Sequence, residues 1–454
     1  MAIVFALCAA YALFCLVTNP AGPITTPDSI LYLNMTPIVP LGYPFFLTIT
    51  GARGAIIAQP IIFAAALAFL GREIVRTTRR AWPAVAVIAG CIIVPQIRDY
   101  HASILSESLF LALLIAGLGL SVRFAYFPTW RLMVLVALTL GASAVVRRTG
   151  FAFAPVMLVM VLLQRHHLRG APAWLFFVAA LAPFGAIVGS EQVLAPIVHA
   201  GAPSSLMGRH LFAKAALIEA PPAPPSQDGV RRALDEQLET SLAPIRAVLA
   251  QAPYAVRGVL TIYYETCLQG GCADEARALT RESSEAEQTR VMGAAGLARI
   301  RRAPLNFLKL TWLHYGSLWT VNRLRHPDTA PALNAFLAAH RPLPYEHDAM
   351  ALGPDRTVVF EPSSSVRYAQ WGITLTAFVT GALAAAGLAA ALLGRRLPPA
   401  VVAAAVAALA AHGGLLLTAL LAAGFTRFLL GLWPAVVVAC AFGAHALRKL
   451  KVKS

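Results

Sequence analysis

Charge is what this chain has least of. Only 13% of its 454 residues are Asp, Glu, Lys or Arg, and 21 acids stand against 37 bases. Soluble domains carry about a quarter charged residues, so a soluble globular protein is excluded. Residues 1–18 contain no Lys or Arg. The basic start of a signal peptide is therefore missing, and this apolar run reads as an uncleaved first helix. There is no internal repeat and no matching pair of interrupted apolar spans, which argues against a transporter built from inverted repeats. Cysteine is sparse as well. Cys8, Cys15, Cys91 and Cys440 fall in apolar runs and read as inert packing residues.

What the chain does have is hydrophobic residues, 58% of the total, with a mean hydropathy of +0.68. Long uncharged runs of this kind mark a polytopic membrane protein. Ten spans are expected, near 2–18, 55–71, 82–97, 102–121, 131–146, 150–163, 173–190, 369–393, 398–423 and 425–446. With the N-terminus inside, the cytoplasmic turns hold the clusters around Arg72–Arg80, Arg123/Arg131, Arg165/Arg169, Arg395/Arg396 and Arg448–Lys453. Together these contribute 14 bases and one acid, Glu73. This is a positive-inside pattern. The net charge of +16 therefore sets orientation and meets anionic lipid, and nucleic acid is not an expected partner.

The expected fold is an all-α polytopic membrane protein of about ten transmembrane helices with a mainly helical external domain. Residues 1–190 form an N-terminal bundle of about seven helices with an external loop at 19–54. Residues 191–367 form an external soluble or interfacial domain. Residues 368–454 supply about three more helices and a basic cytoplasmic tail. The external segment is nearly neutral, with 18 bases and 17 acids. Its stretches 228–252 and 274–302 have helical periodicity, and the aromatic run 305–319 suits an interfacial helix. Cys267 and Cys272, in CLQGGC, form a local disulfide if that face is oxidising and remain two thiols otherwise. The expected location is the inner membrane of the cell envelope, both termini cytoplasmic and the active site external.

Subtracting the inner turns and the external segment leaves Asp28, Asp99, Glu107, Arg53, Arg98, Arg147, Arg148 and Arg427. All eight fall at the external ends of spans. Ionisable groups at membrane depth cost about 2.5–3.5 kcal/mol each on insertion scales, so as a set they are functional candidates. For any one of them, pairing that merely fixes a helix end is an equal alternative. Carboxylates can take a proton from an attacking hydroxyl, and guanidinium forks match phosphate geometry. The chemistry this combination suits is transfer from a lipid-phosphate sugar. His101 lies near Asp99 and Glu107, so these three are the residues that would hold a divalent cation (Mg or Mn) if there is one. An ordinary interfacial role for His101 is the plainer reading.

The order of short motifs then matters. TTPDSILYLNMTPIVPLGYPFFL at 25–47 puts one acid before a proline-punctuated apolar run. AIIAQPIIF at 55–63, ILSESLFLALL at 104–114, RRTGFAFAPVML at 147–158 and TRFLLGLWPAVV at 426–437 follow. Over roughly 25–165 and 420–446 this series resembles the GT-C superfamily of polytopic glycosyltransferases. That superfamily uses polyprenyl- or dolichyl-phosphate sugars and includes protein mannosyltransferases and the lipid A aminoarabinose transferase. The resemblance implies that Asp28 is the catalytic base or its close partner, with Asp99 or Glu107 as a second acid. It implies that Arg148 and Arg427 hold the donor phosphate, aided by Arg147 and Arg98, and that Tyr32, Tyr43 and His101 line the substrate site. Three positions depart from the family pattern: Ser29 stands beside Asp28 where many members carry a second acid, Thr149 replaces a proline and Phe428 a tyrosine.

The expected activity is inverting transfer of a hexose or pentose from a polyprenyl-phosphate donor. The acceptor is a hydroxyl on lipid, glycan or protein, at the external face of the bilayer. A transporter or flippase of an anionic lipid-linked substrate, and a membrane O-acyltransferase, are the alternatives. The first predicts charges at mid-membrane. The second needs a His poised against an acid, for which His101 with Asp99 is the one weak candidate.

Overall fold

The computed structural model describes residues 1–168, 171–199, 207–224, 229–270, 278, 284–345, 359–422 and 427–451. Among them the chain is helical throughout, without a named strand; one isolated bridge joins Ile24 to Ser103. It divides into two compact units. The first comprises Met1–Ser204, Thr376–Leu415 and Leu429–Ser454; the second comprises Ser205–Leu375 and Leu416–Phe428.

The first unit opens with α1 (Ala2–Thr18), the short α2 (Pro27–Leu33) and the long α3 (Gly42–Thr78). Within α3, Gly51 adopts φ 66°, a left-handed conformation that glycine enters without Cβ strain. The proline-punctuated apolar run that ends the 25–47 stretch thus starts a helical piece kinked off from the rest of α3 at Gly51. Next come α4 (Trp82–Ile92) and α5 (Pro95–Ala102), bent by 63° at the intervening break. They are followed by α6 (Glu107–Tyr126), α7 (Trp130–Val146), a 3-10 turn (Arg148–Ala152), α8 (Phe153–Gln164) and α9 (Ala173–Val198).

Among the described residues six helices are long and apolar enough to cross a membrane: Gly42–Thr78, Glu107–Tyr126, Ala173–Val198, Ser364–Leu393, Pro399–Leu421 and Arg427–Lys449. The bent α4–α5 pair makes a seventh if it is one span. Ala2–Thr18, Trp130–Val146 and Arg148–Gln164 are shorter apolar helices. The chain is thus an all-helical polytopic membrane protein.

Without a hydrophobic drive between helices in lipid, close packing of small residues holds such a bundle together. The buried face of Pro399–Leu421 is mostly alanine, from Ala403 to Ala411. A Cβ on Gly414 would sit 2.6 Å from a Leu432 methyl. Elsewhere α3 packs on α6, α6 on α7 and α7 on α9.

The second unit contains α10 (Met207–Ala216), α11 (Gly229–Gln251), α12 (Tyr254–Gly270), α13 (Glu285–Arg302), α14 (Pro304–Leu318) and α15 (Thr329–His340). Its core is aliphatic and aromatic, including Leu238, Leu242, Ile245, Tyr264 and Phe336. Charged side chains are buried beside that core, Arg299 among them. Arg299 donates to the carbonyls of Ala215 and Ile218 and pairs with Asp235 and Glu239. Chain order then gives α16 (Ser364–Leu393), α17 (Pro399–Leu421) and α18 (Arg427–Lys451).

Candidate functional site

The loop after α1 does not hang free. Thr26 caps α2: its amide donates to Ser29 Oγ at 2.8 Å, with Pro27 in the first turn. These are favoured choices for a helix start. Ser29 in turn donates to the Ile104 carbonyl at 2.9 Å, and Ile24 exchanges two backbone hydrogen bonds with Ala102 and Ile104. Ser29 is fully buried, so where the family pattern has a second acid this chain has a tether. The spacing Thr-x-x-Ser, a variant of the capping box, is the signal that points to it. Asp28 is left half-buried in the first turn of α2, where a helix N-terminus favours negative charge.

The tether sets α2 against the segment leading into α6. Tyr32, one turn after Asp28, has its hydroxyl 2.9 Å from Ser106 Oγ. Burial raises the Tyr32 phenol above its ordinary range, with Arg147 acting in the opposite sense. Glu107, at the start of α6, is almost fully buried, and its Oε1 meets Arg147 Nη1 at 2.8 Å. Its Oε2 is buried without a hydrogen-bond partner. Arg147 also reaches Ser106 Oγ at 3.4 Å.

Arg147 ends α7, and the turn that follows folds back tightly. A Cβ on Gly150 would lie 2.6 Å from the backbone of Ala144, so only glycine permits this return. The turn aims Arg148 at Glu191, with Nη1–Oε2 at 3.1 Å, and Glu191 Oε1 accepts the Leu41 amide at 3.3 Å. Glu191 is a residue that sequence reasoning missed. It sits just past the boundary expected at 190, but α9 continues to Val198 and buries it. A periodic apolar run through PIVHA was the available signal.

The remaining expected residues separate into buried and exposed. Tyr43 is fully buried. Its hydroxyl donates to Gln59 Oε1 at 3.1 Å, and its ring meets Tyr32 edge-on at 5.0 Å. Gln59 Nε2 donates to the His101 and Ser103 carbonyls. The glutamine of AIIAQPIIF is thus a brace between α3 and the α5–α6 connection. His101 is buried too, with Nδ1 at 2.7 Å from Ser108 Oγ and its ring packed on Phe63. Asp99 instead faces solvent, 3.5 Å from its neighbour Arg98. No group of three His, Cys, Asp or Glu able to hold a metal ion occurs among the described residues, so Asp99, Glu107 and His101 form none. Arg427 belongs to the second unit. Of the CLQGGC pair, Cys267 is buried at the end of α12 and Cys272 lies outside the described residues.

The second unit buries its own titratable trio. His314 Nδ1 lies 2.9 Å from Lys214 Nζ and 3.2 Å from Glu265 Oε2, and all three side chains are fully buried. Lys214 also donates to the Ala419 and Ala422 carbonyls at the end of α17. Burial pushes the Lys214 ammonium below its ordinary range and the Glu265 carboxyl above its own, each opposed by the other's charge. Burial and the Lys214 charge together hold His314 well below its usual value.

Fold and site together define the class: a polytopic helical membrane protein whose first unit holds a half-buried acid, Asp28, on a helix tied to the segment that carries the Glu107–Arg147 pair, with the Arg148–Glu191 pair on the adjoining turn. No family model matches this chain, and no curated protein or solved structure matches it either.

Proposed function

We propose that the chain is a GT-C-type glycosyltransferase that moves a sugar from a polyprenyl-phosphate donor to a hydroxyl acceptor with inversion. In this reading the bundle crosses the inner membrane ten times. The six long helices, the α4–α5 pair and the three shorter apolar helices are the crossings, both termini are cytoplasmic, and the site faces outward.

The observation that carries the reading is the convergence of α2, the α5–α6 connection and the RRTG turn. It brings Asp28, Tyr32, Glu107, Arg147 and Arg148 into one neighbourhood. Asp28 is the half-buried acid of the set and takes the proton of the attacking hydroxyl. Arg148, with 31% of its side chain exposed, accepts the departing phosphate, whose charge a guanidinium neutralises in a low-dielectric setting. Glu107 and Glu191 act as positioning residues, each holding one arginine in place before a donor arrives.

The test begins with mass spectrometry of the lipids that co-purify with the protein; absence of any polyprenyl-phosphate sugar sinks the class. Turnover of that donor by wild type, Asp28→Asn and Asp99→Asn then assigns the base. Losing a positioned general base costs about 10²–10⁴-fold, expected for Asp28→Asn alone. Undiminished turnover in Asp28→Asn, with loss in Asp99→Asn, transfers the role to Asp99.

A further inference from the structure

The second unit holds a cavity of about 870 Å³ framed by α11, α12, α14 and the end of α17. That is toward the upper end for small-molecule and cofactor pockets, about 300–1,000 Å³. Its walls are mainly aliphatic. Along α14, Leu305, Leu308 and Trp312 border it while remaining 71%, 55% and 67% exposed. Positions spaced by three and four residues share one helix face. A patch of this kind beside an open cavity marks a ligand or membrane contact.

The charged groups at the same place are mostly cations. Arg246, Arg257 and Lys309 stand at the cavity against the single acid Glu219. Arg257 Nη2 donates to the Ala250 and Ala252 carbonyls, while its Nε is buried without a hydrogen-bond partner. Thr311 Oγ1, also at the cavity, is buried and has no partner either. The cavity therefore combines apolar volume with unsatisfied donors and a net positive rim.

We propose that this cavity seats one hydrocarbon chain of an anionic membrane lipid, with its phosphate at Arg257 and Lys309. A phosphate supplies the acceptors that the rim lacks. The exposed face of α14 suits an interfacial helix lying where lipid is available. The stems of Arg257 and Lys309 can cover the chain while their heads meet the phosphate. The proposal is independent of the transferase reading, since every residue in it belongs to the second unit.

The probe is hexadecyl phosphate, titrated into the full-length protein in a neutral detergent, with bound molecules counted by native mass spectrometry. Hexadecanol and inorganic phosphate serve as the chain-only and head-only arms. One hexadecyl phosphate per chain is expected, bound at least about tenfold more tightly than either arm, a gap of about 1.4 kcal/mol. Ala250→Trp fills the cavity from an exposed position, and Lys309→Glu inverts charge at an exposed one. Both positions leave the core untouched, and thermal melting checks that folding is retained. Each variant should weaken hexadecyl phosphate by about tenfold or more. Unchanged affinity in both variants, or hexadecanol binding as tightly as hexadecyl phosphate, overturns the proposal.

Discussion

Arg299 in the second unit and Arg148 in the first are each paired with a buried acid, Asp235 and Glu191, yet the two pairings are built to different ends. Arg299 is 1% exposed and is saturated by two backbone carbonyls, Asp235 and Glu239. Arg302 shares Asp235 at 2.6 Å, and Arg246 shares Glu239. Arg299 itself has no open face to turn toward a ligand. Arg148 keeps 31% of its side chain open, and Glu191 has a second donor in the Leu41 amide. A cation that must later accept a phosphate has to be held loosely enough to exchange partners. A cation that pins α10, α11 and α13 has to be held completely.

The largest expected effect breaks the closed network. Arg299→Met removes the one cation that bridges Asp235 and Glu239 and takes a donor from the carbonyls of Ala215 and Ile218. Breaking a buried pair from one side costs about 3–5 kcal/mol, so the second unit should melt well before the first. Loss of the transition from α10–α15, followed by hydrogen exchange in Leu234–Leu249, is the measurement. Equal protection in variant and wild type would remove the clamp role.

Arg148→Met should do less harm to folding. Glu191 keeps its bond from Leu41, so a loss of about 1–3 kcal/mol is expected, the range for a buried acceptor losing one partner. Arg148→Met combined with Glu191→Gln should recover most of that stability, because an amide does not require the cation. Donor turnover should recover in neither. If activity returns along with stability, Arg148 is a structural residue like Arg299 and the contrast between the two arginines disappears.

How much of this was legible in the sequence follows from the range of the interactions involved. Apolar runs are local signals, and within the described residues the expected spans fall mostly on helices, although 82–97 crosses the 63° break between α4 and α5, 102–121 begins before α6 starts at Glu107, and the last helix before residue 200 runs on to Val198. Asp28, Glu107, Arg147 and Arg148 were legible as a set because charge is rare here. Their partners were not. The bonds Ser29–Ile104 and Arg148–Glu191 join positions 75 and 43 residues apart, and no local pattern encodes such a pairing. Tyr43 and His101 were expected at the substrate through the family resemblance of their motifs. Packing buries both, since an aromatic between two helices serves the core whatever its neighbours do. The Lys214–His314–Glu265 trio was invisible for the same reason: its members are separated by 51, 49 and 100 positions in a segment that reads as an ordinary charged helical domain.

That trio gives the smallest and most discriminating effect, through pH. Glu265, with its carboxyl raised, keeps its proton in the folded chain above about 4.3, the ordinary Glu value. The unfolded chain has lost that proton, so Glu265 makes stability fall as pH rises. His314, held well below its usual value, stays neutral in the fold below about 6.5, where the unfolded chain binds a proton. It therefore makes stability fall as pH drops, and the two slopes oppose one another between about 4.3 and 6.5. Lys214, lowered by burial, adds stability as pH climbs from its depressed value toward about 10.4. The contribution of the trio should then be nearly flat below neutrality and should rise on the alkaline side. Glu265→Gln removes one of the opposing slopes. Its melting temperature should drop from pH 7 to pH 5 relative to wild type by the equivalent of about 1–2 kcal/mol, at about 1.4 kcal/mol per tenfold change in proton affinity. The alkaline rise should persist, because it belongs to Lys214. Parallel pH profiles for variant and wild type would mean that His314 and Glu265 do not titrate against each other, and the opposition between them would drop out of the second unit's stability.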